Sequence, residues 1–482
     1  MKRVVWAALL LSAPVSAKWW IEPSEMSVRA DLQLLSDYRL IQQPVNTYPL
    51  MWTAIADELH ALKPEQLTAR QNAALQRLLQ AWQKDQGTQL SYNASLGTTK
   101  NRFVGFGEQY RDKASVQLNY GFSNERFSGR AAASYHANSG EGNNLRLDHS
   151  YLAALLGNWV ISAGAFERYW GPSWDTSLQL SHNARPVPGI SLTRHSSAAF
   201  DNAILGLIGP WTFTTSFNQL ESDRAIPDAK LWMARATARP LSGLELGVSW
   251  TMTWGGDGYG NGLSDWWNGL SDGGTVDGAE NMLAGYDLRW SGVAGGVPYG
   301  LYAQVTAEDF HWGKKRLIST AFMVGADVYI QSLNSRLYLE YSDTKVGCTE
   351  GNSKLYNCFY EHSYHREGYR YYDRSMGGTY DNDALTMVAG IITPLSSGLS
   401  WHNKFRWLRL NIDGIDRGAP GGNKVSPGRY EQQLQWQSIY QYQLNHGTLS
   451  ITTALTYQHW PELDKDNRLE PSLALSWEGR FW

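Results

Sequence analysis

The stretch Leu434–Tyr457, "LQWQSIYQYQLNHGTLSITTALTY", decides the fold. Large apolar residues alternate with glutamine before a polar turn at 445–447, and with serine or threonine after it. A period of two places alternate side chains on opposite faces of a strand, so the stretch predicts a β-hairpin with one apolar and one polar face. The apolar positions are Leu434, Trp436, Tyr440, Tyr442, Leu449, Ile451, Leu455 and Tyr457.

The same alternation recurs throughout residues 88–482, for example in "ASVQLNYGF" (114–122) and "GLELGVSWTM" (243–252). A soluble β-sandwich also alternates, so no single strand identifies the class of fold. Successive segments of about ten residues, with aromatic residues near their ends, are typical of outer-membrane β-barrels. We therefore predict a mainly β protein, a transmembrane antiparallel β-barrel in the outer membrane of a Gram-negative cell.

The lengths of the predicted connections also favour a barrel. Short and long connections alternate, as expected when tight periplasmic turns occupy one rim and long extracellular loops the other. The short connections lie near 123–124, 157–158, 209–210, 240–242, 292–298, 331–335, 394–398 and 445–447. The long connections lie near 98–113, 138–144, 167–200, 221–228, 255–281, 308–317, 344–383, 414–429 and 458–469. Together they predict about 18 strands, and 167–200 is long enough to contain a further hairpin.

The N-terminal part of the chain follows different patterns. Residues 1–17, "MKRVVWAALLLSAPVSA", combine a basic start, a short apolar core and a small-residue site, which is typical of a signal peptide. Residues 18–87 instead space apolar residues three and four positions apart, as in "PLMWTAIADELHAL" (49–62). We predict a signal peptide at 1–17, a small N-terminal α-helical bundle at 18–87 and the barrel at 88–482.

Charge and cysteine content argue against several kinds of partner. The 42 Lys and Arg residues nearly balance the 45 Asp and Glu residues, for a net charge of −3, which does not favour nucleic acid. Cys348 and Cys358, in "GCTEGNSKLYNC", favour a disulfide over a metal site or a reactive thiol, because an exported chain meets oxidising conditions. We expect no metal and no cofactor.

Three predicted loops are unusually rich in aromatic residues on flexible backbone. The stretch "TWGGDGYGNGLSDWWNGLSDGG" (253–274) could cap the lumen with its rings, or stack the rings on sugars while its aspartates meet hydroxyl groups. The loops at 168–195 and 360–383 share this composition. The candidate carbohydrate-binding residues are Trp170, Trp174, Trp254, Asp257, Tyr259, Trp266, Trp267, Tyr364, His365 and Tyr369.

Several of these motifs, in this order, resemble the Wzi family of outer-membrane, lectin-like capsule-assembly proteins. The matching segments are "DLQLLSDYRLI", "TYPLMWTAIADEL", "WGPSWDTSL", "RPVPGISLTR", "NQLESDRAIPDAKLWMAR", "LELGVSWTMTWGGDG", "LSDWWNGL", "LAGYDLRW" and "YHREGYRYYDRSMGG". The positions carried over most strongly are Trp170, Gly171, Pro172, Trp254, Gly255, Gly256, Gly258, Trp266, Tyr364 and Tyr369; we assign the glycines and Pro172 structural roles. Ser173 and the cysteine-bearing insertion depart from the family pattern.

The resemblance implies an eighteen-stranded barrel whose N-terminal helices occlude the periplasmic end. It also implies that the protein anchors capsular or related extracellular polysaccharide at the cell surface. We expect outer-membrane lipid around the barrel, and we expect no enzymatic activity, because the sequence has no nucleophile motif. Polysaccharide-export machinery is a further candidate partner, at the periplasmic helices.

Two other classes of function remain open from the sequence. A diffusion porin would need an open lumen, and a hydrolase would need a nucleophile and a base at the outer rim, where His362, His365 and Asp373 could supply part of a site. The type of glycan is open too. An acidic glycan would suit Arg185, Arg194, Arg366, Arg370 and Arg374, whereas a neutral one would suit Asp257, Asp265 and Asp272.

Overall fold

A closed antiparallel β-barrel dominates the structure, a computed structural model that describes residues 18–85, 89–271, 280–311, 316–347, 359–396, 399–415, 425–463 and 467–481. In these residues the barrel has 18 strands. They are β1 (Gln89–Gly97), β2 (Ala114–Ser123), β3 (Phe127–Ala137), β4 (Leu145–Arg146 and Tyr151–Leu156), β5 (Trp159–Ala165), β6 (Pro188–Arg194), β7 (Trp211–Gln219), β8 (Lys230–Leu241), β9 (Leu244–Trp254), β10 (Asn281–Ala294), β11 (Val297–His311), β12 (Arg316–Ile330), β13 (Ser335–Asp343), β14 (Leu385–Ser396), β15 (Leu399–Leu410), β16 (Glu431–Leu444), β17 (Gly447–His459) and β18 (Arg468–Phe481).

Pairing between the last and first strands closes the barrel. Trp477 of β18 lies opposite Ala94 of β1, in a ladder that runs from Ala474 to Phe481. The hairpin predicted from Leu434–Tyr457 forms as β16 and β17, with Leu444 opposite Gly447 across the turn. The predicted eighteen-stranded antiparallel barrel is therefore confirmed.

One predicted strand is misplaced. The spacing of the connections predicts a strand between Phe200 and Gly209. The strand lies earlier in the chain, as β6 (Pro188–Arg194), and residues 195–210 form a connection that contains a 3-10 helix, Leu205–Ile208. Asn202 explains the difference, because its side chain accepts the backbone N–H groups of Ile204 and Leu205 and so favours a turn. The total is unchanged, and the long loop before β6 runs from 166 to 187.

The barrel wall is polar inside and apolar outside. In β9, Glu245 and Ser249 are buried in the lumen, whereas Leu246 and Val248 on the opposite face are exposed. Exposed apolar residues recur at alternate positions around the barrel, and we call this outward surface the apolar belt. Members of the belt are Val116, Leu118, Tyr120, Leu246, Val248, Tyr286, Leu288, Leu434, Trp436, Leu473 and Leu475.

The two rims of the barrel differ. Turns such as 157–158, 242–243 and 445–446 join strands at one rim, which we call the short-turn end. Loops such as 98–113, 255–280 and 344–384 join strands at the other rim, the long-loop end. Because 166–187 also starts at the long-loop end, its burial means that it folds back into the lumen.

The described α-helices are three at the N-terminus and one in a loop, and short two-residue strand pairs and 3-10 helices lie between the larger elements. The α-helices are α1 (Met26–Asp37), α2 (Trp52–Ala61), α3 (Ala69–Lys84) and α4 (Leu263–Ser271). Thr68 starts α3 with a capping box, in which its side chain and that of Gln71 satisfy each other's backbone N–H groups. None of the described helices is long and apolar enough to cross a membrane.

Helices α1, α2 and α3 lie at the short-turn end, and α1 enters the lumen. Every residue of α1 except Ser27 and Ala30 is buried, and α1 contacts β10, β11 and β14. Lys84 at the end of α3 donates to Gln443 beside a short turn (3.3 Å). The helices therefore plug the barrel from the rim that carries the short turns, while residues 1–17, the predicted signal peptide, lie outside the described chain.

Candidate functional site

Trp170 and Trp174 lie deep in the lumen, on the loop 166–187. The indole of Trp174 donates to Asp327 (3.0 Å), and the guanidinium of Arg29 from α1 lies 4.6 Å from its ring centre. Neither tryptophan has more than 1% of its surface exposed. Both rings are enclosed by packing between the plug and the wall, and their contact with carbohydrate stays a prediction.

His365 and Tyr369 are also buried, although they belong to the tyrosine-rich loop at 360–383. The hydroxyl of Tyr369 donates to the carbonyl of Gln179 on the lumen loop (3.1 Å). His365 has no exposed surface, and its ring lies 5.7 Å from that of His362. These two residues pack inside the loop and expose almost no surface on which a polymer could lie, so their role in carbohydrate binding stays a prediction.

Trp254 and Trp266 pack outside the barrel. Trp254 continues the outward alternation of β9 beyond Trp250 and Met252, and it is buried in a cluster with Trp232. Trp266 of α4 is partly buried against the same cluster. The sequence left two roles open for these rings, a lumen cap or a sugar platform, and the packing of this cluster supports neither.

The remaining candidate residues keep exposed surface. Tyr364 is 47% exposed, Asp257 is exposed, and Tyr259 is partly buried against the core. Trp267 is exposed as well, but it belongs to α4 on the outer wall. Of the predicted set, Asp257 and Tyr364 therefore lie exposed on the loops that form the mouth of the barrel, and Tyr259 is half-buried there.

Three of these loops interlock into one unit, which we call the loop surface: residues 220–229, 255–261 and 359–376. The carboxylate of Glu221 accepts the backbone N–H of Tyr372 (3.2 Å). Glu367 accepts the N–H of Ala225 (2.8 Å). The carbonyl of Pro227 accepts the N–H of Asp257 (2.8 Å). Buried carboxylates and backbone hydrogen bonds thus fix the backbone of these three loops, and with it the positions of the exposed side chains that the loops carry.

A tight hairpin adds a residue that was absent from the predicted set. Arg370–Tyr371 pairs with Arg374–Ser375, and Tyr372 and Asp373 form the turn with positive φ angles of 48° and 64°. This backbone is unfavourable for non-glycine residues, and such strain is common at functional sites. The ring of Tyr372 is half-buried, with the guanidinium of Arg185 4.5 Å from its centre.

Most of the arginines proposed for an acidic glycan are already paired. Arg185 binds Asp148 (2.8 Å), Arg370 binds Asp381 (2.7 Å), and Arg374 binds Glu141 (2.5 Å). Arg194 lies at the short-turn end, 3.7 Å from the ring centre of Trp211. Arg366 is exposed, and no described residue forms an ion pair with it. It is therefore the arginine of this group that is best placed to meet a ligand.

Two titratable groups at the mouth have shifted pKa values. Burial lowers the pKa of His362, so its ring is largely neutral at pH 7. Burial, followed by the nearby charge of Asp413, raises the pKa of Asp383 to about 7. Within the described residues, no three His, Cys, Asp or Glu side chains are grouped to hold a metal ion. Cys348 and Cys358, the predicted disulfide, lie outside the described residues.

The lumen is occupied over much of its length. A cavity of about 550 Å³ lies between the helices α1 and α3 and the wall. Charged side chains line it, including Asp31, Arg77, Arg130 and Asp148, and the carboxylate of Asp148 is held by Arg185. Elsewhere α1 and the loops 166–187 and 359–384 bring buried residues into contact with the inner wall.

Comparison with known proteins identifies similar chains. The family model described as "Capsule assembly protein Wzi" matches residues 85–473. An "uncharacterized 55.8 kDa protein in cps region" of Klebsiella pneumoniae is 29% identical over an alignment of 297 residues. That alignment covers 59% of this chain and 58% of that protein. The match thus spans little more than half the length of this relative.

A solved structure is similar over nearly the whole chain. Wzi of Escherichia coli, described as an outer membrane protein involved in group 1 capsule assembly and a carbohydrate-binding β-barrel, aligns with a TM-score of 0.79 at 22% identity. The alignment covers 94% of this chain and 98% of that one. At this identity the similarity establishes a shared fold.

Proposed function

The chain belongs to the Wzi family of capsule assembly proteins, and from this premise we propose that it binds extracellular polysaccharide at the surface of the outer membrane. The resemblance inferred from the sequence motifs is confirmed at the level of the family. In the proposed role, the barrel is a rigid support, and capsular or related polysaccharide is held at the long-loop end and so anchored to the cell.

The apolar belt supports the placement in the membrane. Its exposed leucine, valine and aromatic side chains would be costly in water, and they match the outward face of a barrel that contacts lipid. In such barrels the short turns face the periplasm and the long loops face the exterior. The N-terminal helices would then lie at the periplasmic rim and the loop surface outside the cell.

The interlocked loop surface is the observation that carries the binding proposal. It presents Tyr364 and half-buried Tyr372 as aromatic rings, with exposed Asp257 and Arg366 as polar groups. Aromatic rings stack on the C–H faces of sugars, and carboxylates accept hydrogen bonds from hydroxyl groups. Because the supporting hydrogen bonds are already formed, little loop ordering would oppose binding.

Weak contacts can still hold a long polymer. Each repeat of a polysaccharide could engage a separate protein molecule in the membrane, and successive contacts gain from effective concentration. We propose binding without bond cleavage, because the ring of His365 is buried and so one member of the suggested hydrolase group is absent from the surface. A porin role is disfavoured by the buried plug of α1 and the lumen loops.

Binding of purified polysaccharide by the detergent-solubilised protein tests the proposal. We expect a Tyr364→Ala, Tyr372→Ala variant to bind about tenfold or more weakly, since each lost ring contact is worth roughly 1 kcal/mol. Trp267→Ala is the matched control, because it removes an exposed ring outside the loop surface. Equal affinity of the double variant and the wild type, at equal thermal stability, would refute binding at this surface.

A further inference from the structure

Helix α4 lies on the outside of the barrel wall. The ring of Trp266 is 5.3 Å from that of Phe217 and 5.6 Å from that of Trp232. Both of these strand residues point away from the lumen, since their neighbours Asn218 and Leu231 are the ones buried inside. Phe217 and Trp232 are paired two residues from the strand ends, so α4 packs near the long-loop end.

The apolar face of α4 is wider than its contact with the wall. Leu263 lies three and four residues before Trp266 and Trp267, and Leu270 lies four and three residues after them, so the four side chains form a single face. Trp266 and Leu270 pack against the wall cluster, whereas Leu263 is 73% exposed and Trp267 is 59% exposed. The residues outside this face are polar or small: Ser264, Asp265, Asn268, Gly269 and Ser271.

The uncovered half of this face adjoins the apolar belt. Helix α4 contacts β9, whose outward residue Val248 lies four positions along the strand from Met252 of the Trp266 cluster. Val248 is opposite Tyr286 on β10, and both are exposed. The exposed side chains of α4 and the lipid-facing side chains of the wall therefore belong to neighbouring parts of one outward surface.

We propose that α4 is an interfacial anchor, which inserts Leu263 and Trp267 into the boundary between headgroups and acyl chains of the outer leaflet. Helix α4 has no Lys or Arg, and its single charge, Asp265, accepts the backbone N–H of Gly262 at the helix start (2.8 Å). The attraction between α4 and the membrane is thus due to its apolar side chains, and anionic lipid headgroups are not required. The inference rests on the membrane location in the proposed function, not on polysaccharide binding.

The same side of the barrel carries a second apolar segment at the opposite rim. Phe200 stacks on the outward ring of Trp211 at the start of β7 (4.9 Å). Ile204 and Leu207, in and beside the following 3-10 helix, are 78% and 74% exposed. Apolar segments therefore flank this part of the wall at both ends, as expected if each meets one interface of the membrane.

Photo-crosslinking in vesicles tests this placement. Trp267, Asn268 and Val248 are replaced one at a time by p-benzoylphenylalanine, and each protein is reconstituted into phosphatidylethanolamine–phosphatidylglycerol vesicles without polysaccharide. Val248 is the lipid-facing reference, and Asn268 is the matched position on the polar face of α4. Heat-modifiable gel mobility verifies folding, and mass spectrometry counts lipid adducts after irradiation.

We expect lipid adducts at position 267 to approach those at 248 and to exceed those at 268 by about tenfold, because an interfacial helix buries only its apolar face. Adducts at 267 as rare as those at 268, with normal labelling at 248, would overturn the proposal. Crosslinked protein dimers in place of lipid adducts at 267 would also overturn it, because a second copy would then cover this face. Neither outcome bears on polysaccharide binding, which is measured separately.

Discussion

The carboxylate of Asp37, the last residue of α1, lies 2.8 Å from the guanidinium of Arg336 on β13. Arg289 on β10 also reaches Asp37 (3.3 Å), and both arginines share Asp327 in the wall. All four side chains are almost completely buried. The helical plug is therefore joined to the barrel through a charge network from which water is excluded.

Asp37→Ala should destabilise the protein by about 3 kcal/mol, because removing one member of a buried ion-pair network leaves the others incompletely compensated. Thermal unfolding in detergent, followed by near-UV circular dichroism, measures the change. Asp57→Ala on the exposed face of α2 is the control and should have little effect. A melting temperature unchanged by Asp37→Ala would show that the plug does not depend on this network.

Trp174 should behave as a structural residue. Trp174→Ala is expected to cost about 3–5 kcal/mol, because it leaves a large cavity and removes the hydrogen bond to Asp327. Tyr364→Ala should leave the melting temperature almost unchanged, because that ring is largely exposed. If Trp174→Ala instead folds with wild-type stability and loses only polysaccharide binding, the ring contacts the ligand after all.

Glu367 should position the loop surface without contacting the ligand. Its carboxylate accepts the N–H of Ala225 and lies 3.9 Å from the buried guanidinium of Arg224. Glu367→Ala removes both contacts, at a local cost of about 1.5–3 kcal/mol, as for a hydrogen bond to a charged group. We expect faster limited proteolysis within 220–229 and weaker polysaccharide binding, with the barrel melting temperature unchanged. Asp223→Ala, exposed on the same loop, is the control. Proteolysis at the wild-type rate would argue against the interlock.

Stability should depend on pH through Asp383. Its pKa is about 7 in the folded protein, above the ordinary value for aspartate, so only the unfolded chain releases this proton between that ordinary value and pH 7. The free energy of unfolding therefore falls as the pH rises through that window, and above pH 7 this contribution no longer changes with pH. Asp383→Asn should flatten this part of the profile of melting temperature against pH, whereas Asp201→Asn, at an exposed site, should leave it unchanged.

The barrel could be predicted from sequence because its signals are local. Alternation with a period of two is visible within each strand, and the hairpin of β16 and β17 needs only the turn at 445–446. The same rule could have placed Trp254, which continues the outward series of Trp250 and Met252. Strand β6 was misplaced because an apolar run at 203–208 imitates a strand, while the turn made by Asn202 opposes one.

The site was harder to predict because it depends on contacts between distant loops. Trp174 and Tyr364 are both aromatic residues in glycine-rich or polar loops, and nothing local separates the buried ring from the exposed one. Their difference arises from partners far along the chain, such as Asp327 for Trp174. Tyr372 was overlooked for the same reason, since the hydrogen bond to Glu221 that positions its backbone spans 151 residues.

Retention of polysaccharide on living cells is the measurement on which the proposed function depends. A strain that lacks the gene is complemented with the wild type, with the Tyr364→Ala, Tyr372→Ala variant, or with Tyr286→Ala, which removes an exposed ring from the apolar belt. Folded protein in the outer membrane is matched by heat-modifiable gel mobility. We predict that polysaccharide moves from the cell pellet to the medium only in the loop-surface variant, whereas wild-type retention in that variant would contradict the assignment of this surface.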